Sequence, residues 1–193
     1  RDSYNALFGL IKRRATSPID GTIESVSEAT GQVIIRGVPI PVEVDAYIPG
    51  QVVKILPKQG AIIETKAAFV QGIFGVGGET HGRIRVAVDS PDAELKEDSI
   101  TLEDRGTVLI GGSIVGLEAL KRGAKIGVSC IVAGGIKHRD ITSFMGEKIG
   151  VAITGQEELG LTLIITEGFG KMRMSDRIFT LLKHFEGYLA CVN

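Results

Sequence analysis

One short pattern of glycines and apolar residues occurs twice between residues 18 and 62, and this repeat constrains the fold more than any other feature. The copies read PIDGTIESVSEATGQV and YIPGQVVKILPKQGAI. In each copy the first glycine permits a tight turn, apolar residues point into a core, and the second glycine turns the chain back. The repeat predicts a small all-β unit over residues 16–88. The matched residues are Gly21 and Gly50, Ile23 and Val52, Val26 and Ile55, Gly31 and Gly60, and Val33 and Ile62.

The repeated turn resembles that of the biotinyl/lipoyl-like barrel-sandwich hybrid family, whose halves each carry a dG-x-[IV]-x-x-[IV] turn and a later Gly-x-[VI]. The resemblance covers about residues 17–66 and implies an N-terminal all-β barrel-sandwich hybrid. Carrier members of that family attach their prosthetic group to a lysine between the halves. No lysine lies between Arg14 and Lys54 in this chain. We therefore expect no lipoyl or biotin attachment, leave any other cofactor unknown, and take a rigid adaptor as the implied role.

The charge and cysteine content narrow the classes of partner and compartment. The net charge is −1, from 22 Lys+Arg against 23 Asp+Glu, so nucleic acid and anionic membranes are not favoured as partners. No apolar run approaches the ~18 residues of a membrane span. Cys130 and Cys191 lie in apolar runs, which indicates buried thiols, a reducing compartment and a cytoplasmic location.

The first residues predict a lead-in arm or a short helix over 1–15, ending in the basic cluster Lys12, Arg13 and Arg14. A solvated terminus is the simpler interpretation of that cluster, and nucleic-acid binding is a third functional hypothesis. The chain starts at Arg1 and stops in an apolar run. We expect it to be a piece of a longer polypeptide, with other domains of that polypeptide or another protein as partners.

The second half of the chain alternates strand and helix patterns after an acidic segment. Residues 89–105 predict an acidic linker, and residues 106–193 predict a small three-layer or two-layer α/β domain, truncated at its C-terminal end. Strands are predicted for GTVLIGG, KIGVSCIVAGG, IGVAITG and TLIITEG. The intervening segments read as helices, the first capped by Ser113 and the last starting near Ser175. The fold class predicted for the whole chain is mixed, α+β.

Glycine, serine and threonine follow the predicted strands of the α/β domain, where parallel sheets bind ligands. Converging backbone N–H groups suit a phosphate or carboxylate, although glycine-rich turns are common after strands for structural reasons. Glu167 at such a strand end is a candidate general base, with a surface glutamate as the simpler interpretation. The candidate ligand-binding residues at these ends are Gly111, Gly112, Ser113, Gly134, Gly135 and Thr154.

A separate glycine-rich stretch, GIFGVGGETHG, contains Gly77 and Gly78 as further ligand-binding candidates. An alternating strand follows it, not a helix, so a nucleotide-binding turn is not predicted. A ligand loop and a close backbone crossing both fit the pattern. Glu79 and His81 are too few for a metal centre, and no metal site is predicted.

His138 is the second catalytic candidate. The stretch GVSCIVAGGIKHRDITSFMGEKIGVAITG is similar to the swivelling phosphohistidine domain of phosphoenolpyruvate-utilising enzymes, in which two glycines end a strand and a histidine follows at a helix start. Gly134 and Gly135 match those glycines, while His138 lies one residue closer and Ile-Lys replaces the family's Thr-Ser. The resemblance implies a phosphorylatable His138, and an exposed or capping histidine is the alternative.

The sequence predicts no reaction class outright, because G-x-S-x-G, H-E-x-x-H, Walker A and CxxC motifs are all missing from it. The function predicted is a non-catalytic scaffold or adaptor segment of a larger intracellular protein, with a small anion or metabolite site. The alternative is an enzyme of phosphotransfer or acyl type, with its site at the strand ends of the α/β domain.

Overall fold

The computed structural model describes residues 3–6, 11–14, 16–40, 43–146 and 160–193. It divides the chain into two compact units, Arg1–Asp45 and Ala46–Asn193. The described residues form a mixed protein of strands and helices. None of their helices has both the length and the apolar character needed to cross a membrane.

The first unit consists of two antiparallel strand pairs. Strands β1 (Ser3–Ala6) and β2 (Ile11–Arg14) pair with each other, so strands form where a short helix was one expectation. A helix of about this length is marginal in water, which lets strand pairing compete. Strands β3 (Gly21–Val26) and β4 (Val33–Gly37) form the first hairpin.

The first hairpin is amphipathic. Ile23 pairs with Ile35 and Val26 pairs with Val33, which places four apolar side chains on one face. The register shifts between Ile23 and Ser25, so Glu24 is the extra residue of a β-bulge. One face is therefore apolar, while the other carries polar residues together with Ile34, which pairs with Ser25.

The second hairpin, strands β5 (Gln51–Leu56) and β6 (Gly60–Glu64), belongs to the second unit and repeats this design. Its bulge, between Val52 and Lys54, falls at the repeat position of the bulge in the first hairpin. A Cβ added at either leading glycine would meet a backbone oxygen of the facing strand, at 2.2 Å for Gly21 and 2.7 Å for Gly50. Gly31 and Gly60 both have positive φ, 69° and 145°. The sequence repeat thus corresponds to a repeat of local structure.

A mixed eight-stranded sheet dominates the second unit. β8, β10, β12 and β13 are parallel neighbours in that order, and the antiparallel strands β14 and β7 lie beside β8 and β13 respectively. β11 pairs with both β12 and β9. The strands are β7 (Phe74–Val76), β8 (Thr80–Val86), β9 (Glu94–Leu95), β10 (Thr107–Ile110), β11 (Ile114–Val115), β12 (Cys130–Ile136), β13 (Thr162–Phe169) and β14 (Leu189–Val192).

Helices cover both faces of this sheet. Helices α1 (Leu117–Ile126) and α2 (His138–Gly146) contribute to one buried cluster, together with Leu109, Ile131 and Leu163. Helix α3 (Asp176–His184) packs on the other cluster, which contains the alternate strand residues. Both faces of β12 are buried, and all of its residues are apolar or glycine, as in a covered parallel strand.

The segment 89–105 contributes to this sheet instead of forming the expected linker. It contains β9 and two short 3-10 helices, Glu97–Ser99 and Leu102–Asp104. Leu95 and Ile100 are buried while most acidic side chains point outward, so the acidic composition conceals an inward-facing apolar pattern. β7 and β8, expected in the N-terminal β unit, also belong to this sheet.

Asp104 is the one acidic residue of this segment whose side chain is buried. Its Oδ1 lies 2.8 Å from Nη1 of Arg85 in an ion pair without hydrogen-bond alignment. Its Oδ2 accepts a hydrogen bond from the Thr101 amide at 2.7 Å. The pair ties the 3-10 segment to β8, which explains why an acid is tolerated inside.

Candidate functional site

The glycines predicted to bind a ligand at the strand ends are packed against backbone. A Cβ on Gly134 would lie 2.1 Å from the Met172 carbonyl oxygen, and one on Gly135 would lie 2.2 Å from that of Gly170. At Gly112 the nearest atom would be the Ala93 carbonyl oxygen, at 2.3 Å. These positions require glycine because another segment of the chain passes directly over them.

Several N–H groups in this region already have protein acceptors. The amide of Gly111 donates to Val132 O at 2.8 Å, and the amide of Gly134 donates to Gly112 O at 2.7 Å. The Met172 amide donates to Ser113 O at 3.0 Å. These donors are engaged within the fold, so they are not free to converge on an anion.

Ser113 is buried and its hydroxyl donates to the Asp92 carbonyl at 2.7 Å. Its amide donates to the Ala93 carbonyl at 2.8 Å. Helix α1 starts only at Leu117, with Gly116 as its N-cap, so the expectation that Ser113 caps this helix is wrong. Ser113 instead anchors the loop before β9. Thr154, a further ligand-binding candidate, lies outside the described residues.

Glu167 is half-buried near the end of β13 and holds the start of helix α3. Its Oε1 accepts a hydrogen bond from the Ser175 amide at 2.9 Å. Ser175 is the N-cap of α3, as predicted, and its hydroxyl accepts from the Ile178 amide at 3.4 Å. The carboxylate therefore has a structural partner, which favours a positioning role for Glu167 within the fold.

Gly77 and Gly78 form the turn between β7 and β8 at the other end of β13. Gly77 has φ 105°, and a Cβ there would lie 2.8 Å from the Leu161 carbonyl oxygen. The Gly78 carbonyl accepts from the Thr162 hydroxyl at 2.6 Å. The structure therefore does not bring these two glycines together with Glu167, which lies toward the carboxyl end of the same strand.

His138 is exposed at the first position of helix α2. Its Nδ1 lies 3.5 Å from the Thr142 hydroxyl oxygen, and that hydroxyl donates to the His138 carbonyl at 2.9 Å. Its ring meets the Phe169 ring edge-on, with centroids 6.1 Å apart. An accessible imidazole thus lies beside an aromatic ring at the carboxyl end of β13.

An exposed apolar surface occupies this end of the sheet. Phe169 is 51% exposed and its ring centroid lies 5.5 Å from that of Phe74. Ile73 and Met172 are 62% and 41% exposed. A Cβ added at Gly168 would lie 3.6 Å from Met172 and 3.9 Å from Ile73, so these two side chains lie on the face of β13 opposite to the Phe169 ring. We define the Phe169 patch as Phe74, His138 and Phe169, whose rings contact one another at this end of the sheet.

Basic side chains flank the Phe169 patch. Lys137 follows Ile136, the residue paired with Phe169 in the sheet, and Lys171 lies two residues beyond Phe169. Both lysines are exposed, and within the described part of the chain neither forms an ion pair. The patch therefore combines an apolar centre with a positively charged border.

Arg173 is the paired cation of this region. Its guanidinium lies 3.1 Å from the Asp92 carboxylate and 2.5 Å from that of Asp176. The hydrogen bond from Arg173 lowers the pKa of Asp176, and burial opposes that shift only in part. This network joins the loop before β9 to the start of α3 on the protein surface.

The cysteines do not form a nucleophilic site. Burial raises the pKa of the Cys130 thiol far above its ordinary value, and burial also raises the pKa of Cys191. The Cys191 thiol contacts the Tyr47 carbonyl oxygen, and the Tyr47 ring packs on His81 at 5.8 Å. Neither thiol is poised as a thiolate. Among the residues that the structure describes, no group of three or more His, Cys, Asp or Glu side chains is arranged to hold a metal ion.

Sequence reasoning missed the Phe169 patch, although the sequence contains a signal for it. Phe169 stands between two glycines in TEGFGKM, directly after an apolar strand. A lysine two residues after an aromatic at a strand end indicates a solvent-facing border.

Comparisons with known proteins add no relative to this description. No protein-family model matches the chain, and neither the curated proteins nor the solved structures contain a match to it. The geometry of the chain itself therefore carries the functional argument.

Proposed function

We propose that this chain is a non-catalytic scaffold or adaptor segment that binds a protein partner through the Phe169 patch. The observation that carries the proposal is the half-exposed Phe169 ring against Phe74 and His138, at the sheet end where functional sites usually lie. Exposed apolar patches with polar borders are typical of protein interaction sites. The resemblance of residues 17–66 to barrel-sandwich hybrids, without a carrier lysine, supports the same role.

The chemistry of the partner follows from the patch. Phe169 and Phe74 offer an exposed aromatic surface for one aromatic or aliphatic anchor. Lys137 and Lys171 favour carboxylates on either side of that anchor. The proposed partner is therefore an acidic protein segment with a central apolar side chain.

The enzyme alternative rests on His138, whose ring is accessible beside Phe169. It gains little support from Glu167, whose carboxylate accepts from the Ser175 amide, or from the strand-end glycines, which pack on backbone. A small anion or metabolite site would have to use the flanking lysines instead. We also propose a cytoplasmic location, supported by two cysteines that form no disulfide.

The test is a selection of random displayed peptides against the immobilised full chain, followed by affinity measurements on the enriched peptides. We expect peptides with one aromatic or aliphatic residue between acidic ones. Phe169→Ala should weaken their binding about 30-fold, as for a central anchor. Lys137→Ala should weaken it less and reduce its dependence on salt.

Leu102→Ala is the matched control, because Leu102 is 81% exposed and lies outside the patch. Its affinity should equal that of the unmodified chain. Failure to enrich any peptide class, or enriched peptides that bind Phe169→Ala equally well, would overturn the proposal. Covalent phosphorylation of His138 by phosphoenolpyruvate, detected by mass spectrometry, would support the enzyme instead.

A further inference from the structure

The ring of His138 is exposed but has contacts that hold it in place. One turn later in helix α2, the Thr142 hydroxyl oxygen lies 3.5 Å from Nδ1 of the ring. The ring also meets that of Phe169 edge-on, with centroids 6.1 Å apart. A side chain that is ordered before a partner arrives loses less conformational entropy on binding than a mobile one. His138 is therefore well placed to be a contact residue of the Phe169 patch.

The two ring nitrogens of His138 differ in their surroundings. The Thr142 hydroxyl donates its one proton to the His138 carbonyl oxygen at 2.9 Å, so toward Nδ1 its oxygen can only accept. This arrangement favours a hydrogen on Nδ1 in both charge states of the ring. Within the described part of the chain, Nε2 makes no hydrogen bond. Nε2 is therefore the nitrogen that gains and loses a proton, and it is available to a partner.

The charged groups around His138 leave a protonated ring without a counterion. Lys137 and Arg139 adjoin it in the chain, Lys171 lies at the border of the same patch, and the aromatic rings of the patch carry no charge. Arg139 is paired with Asp140, whose carboxylate lies 3.3 Å from the guanidinium. Among the residues that the structure describes, no carboxylate forms an ion pair with His138. The counterion of a protonated His138 therefore has to come from another molecule.

We infer that His138 recognises a carboxylate of the acidic partner in its protonated form, so that binding at the Phe169 patch strengthens as the pH falls. The inference rests on the proposed function and identifies the regulation of that site. Histidine is the side chain that ordinarily changes its charge between pH 8 and pH 5. The neutral ring offers an acceptor at Nε2, which cannot bond to a carboxylate oxygen, whereas the protonated ring donates to it in a charge-assisted hydrogen bond. Binding of the carboxylate is therefore coupled to the uptake of a proton.

The flanking lysines cannot produce this dependence. A lysine ordinarily stays charged throughout the range in which histidine titrates, so Lys137 and Lys171 attract the same carboxylates at every pH within it. The lysines thus account for the salt dependence of binding, and His138 accounts for its pH dependence.

Calorimetric titration of the full chain with the enriched acidic peptides tests the inference. Dissociation constants are compared between about pH 8 and about pH 5.5, a range in which the Asp and Glu side chains of a peptide stay ionised. We expect binding to be about 10-fold tighter at the acid end, as for one charge-assisted hydrogen bond. His138→Gln should bind with one affinity across the range, because an amide donates at every pH. Titrations in two buffers with different heats of ionisation measure the proton uptake directly.

His184→Gln is the matched control. His184 is also exposed, and its ring also meets a phenylalanine edge-on, with its centroid 5.2 Å from that of Phe185. It lies at the end of helix α3, outside the patch, so this variant should keep the full pH dependence. A peptide whose acidic residues are replaced by their amides should bind the unmodified chain without pH dependence.

The outcomes separate the inference from the proposed function. Peptides that bind through Phe169 with the same affinity across the range would overturn the inference and leave the proposed function standing. A pH dependence that survives in His138→Gln, or that disappears equally in His184→Gln, would also overturn it. If no peptide class is enriched, the proposed function fails and the inference fails with it.

Discussion

The central sheet and the two hairpins contain the same kinds of residue but bury them to different extents. Ile131 in β12 and Leu163 in β13 are 0% exposed, whereas Ile23 and Ile55 in the hairpins are 55% and 74% exposed. Both regions alternate β-branched side chains along their strands. In the sheet, helices cover both faces, and β12 and β13 each have a paired strand on both sides. Strand formation is therefore a local property of these sequences, while burial depends on what packs on them.

The largest effect should come from filling the closest backbone approach in the sheet. Gly134→Ala places a Cβ 2.1 Å from the Met172 carbonyl oxygen, and a backbone atom cannot move aside as a side chain can. We expect destabilisation of about 3 kcal/mol or more. Chemical denaturation followed by residue-resolved NMR measures it, because the sheet and the first hairpin lie in different units and each needs its own signals.

Gly37→Ala in the first hairpin is the matched control for Gly134→Ala. A Cβ at Gly37 would meet nothing within 4 Å, so the change should stay within about 0.5 kcal/mol. Equal destabilisation of the two variants would show that close packing does not distinguish the sheet from the hairpins.

Truncating one isoleucine to alanine in each region should produce a difference in unfolding free energy between the regions that is intermediate in size. Ile131→Ala removes a fully buried side chain and leaves a cavity between β12 and helix α1, which should cost about 2–5 kcal/mol. Ile23→Ala removes a side chain that is 55% exposed, and it should cost less than about 1 kcal/mol. Urea denaturation of the two variants compares them directly. A cost for Ile23→Ala that matched Ile131→Ala would mean that the hairpin face is buried in solution.

The smallest effect should come from the surface ion pairs, which both regions carry. Arg173 lowers the pKa of Asp176, so this interaction stabilises the fold above the carboxyl's unfolded pKa and is lost as the pH falls through the folded value. Arg173→Gln should raise the pKa of Asp176 toward its ordinary value, as measured by NMR titration of the carboxyl carbon. Arg36→Gln removes the exposed Arg36–Glu24 pair of the first hairpin and should leave the pKa of Asp176 unchanged. An unchanged Asp176 in Arg173→Gln would contradict the assigned cause.

The sequence was most informative where a residue type is needed for local backbone geometry. Gly21 and Gly50 were found by their repeat, and both prove to face a backbone oxygen of the neighbouring strand. Ser175 was found as a helix cap because the N-cap interaction involves residues close in the chain. The alternation of strands and helices after residue 106 likewise predicted the order of β10, α1, β12, α2, β13 and α3. It missed β11, and the strand predicted for IGVAITG lies outside the described residues.

What could not be predicted depends on residues distant in the chain. Gly134 resembles a phosphate-binding glycine in sequence, but the segment that packs on it lies almost forty residues later, at Met172. The sequence places Asp104 in an acidic linker, because its ion-pair partner Arg85 lies in an earlier strand. Phe169 is half-exposed because no segment among the described residues covers its ring. A local pattern contains no information about any of these three outcomes.

The pairing of β8 with β14 also determines when the sheet can be completed. The Val86 amide donates to the Glu186 carboxylate across 100 residues of chain, and Arg83 bonds the Gly187 carbonyl across 104. During synthesis, β8 leaves the ribosome long before its outer neighbour exists. Its outer edge then presents unpaired N–H and C=O groups to every other nascent chain. The interval between the emergence of β8 and that of β14 is therefore the time at which this protein is most exposed to misassembly.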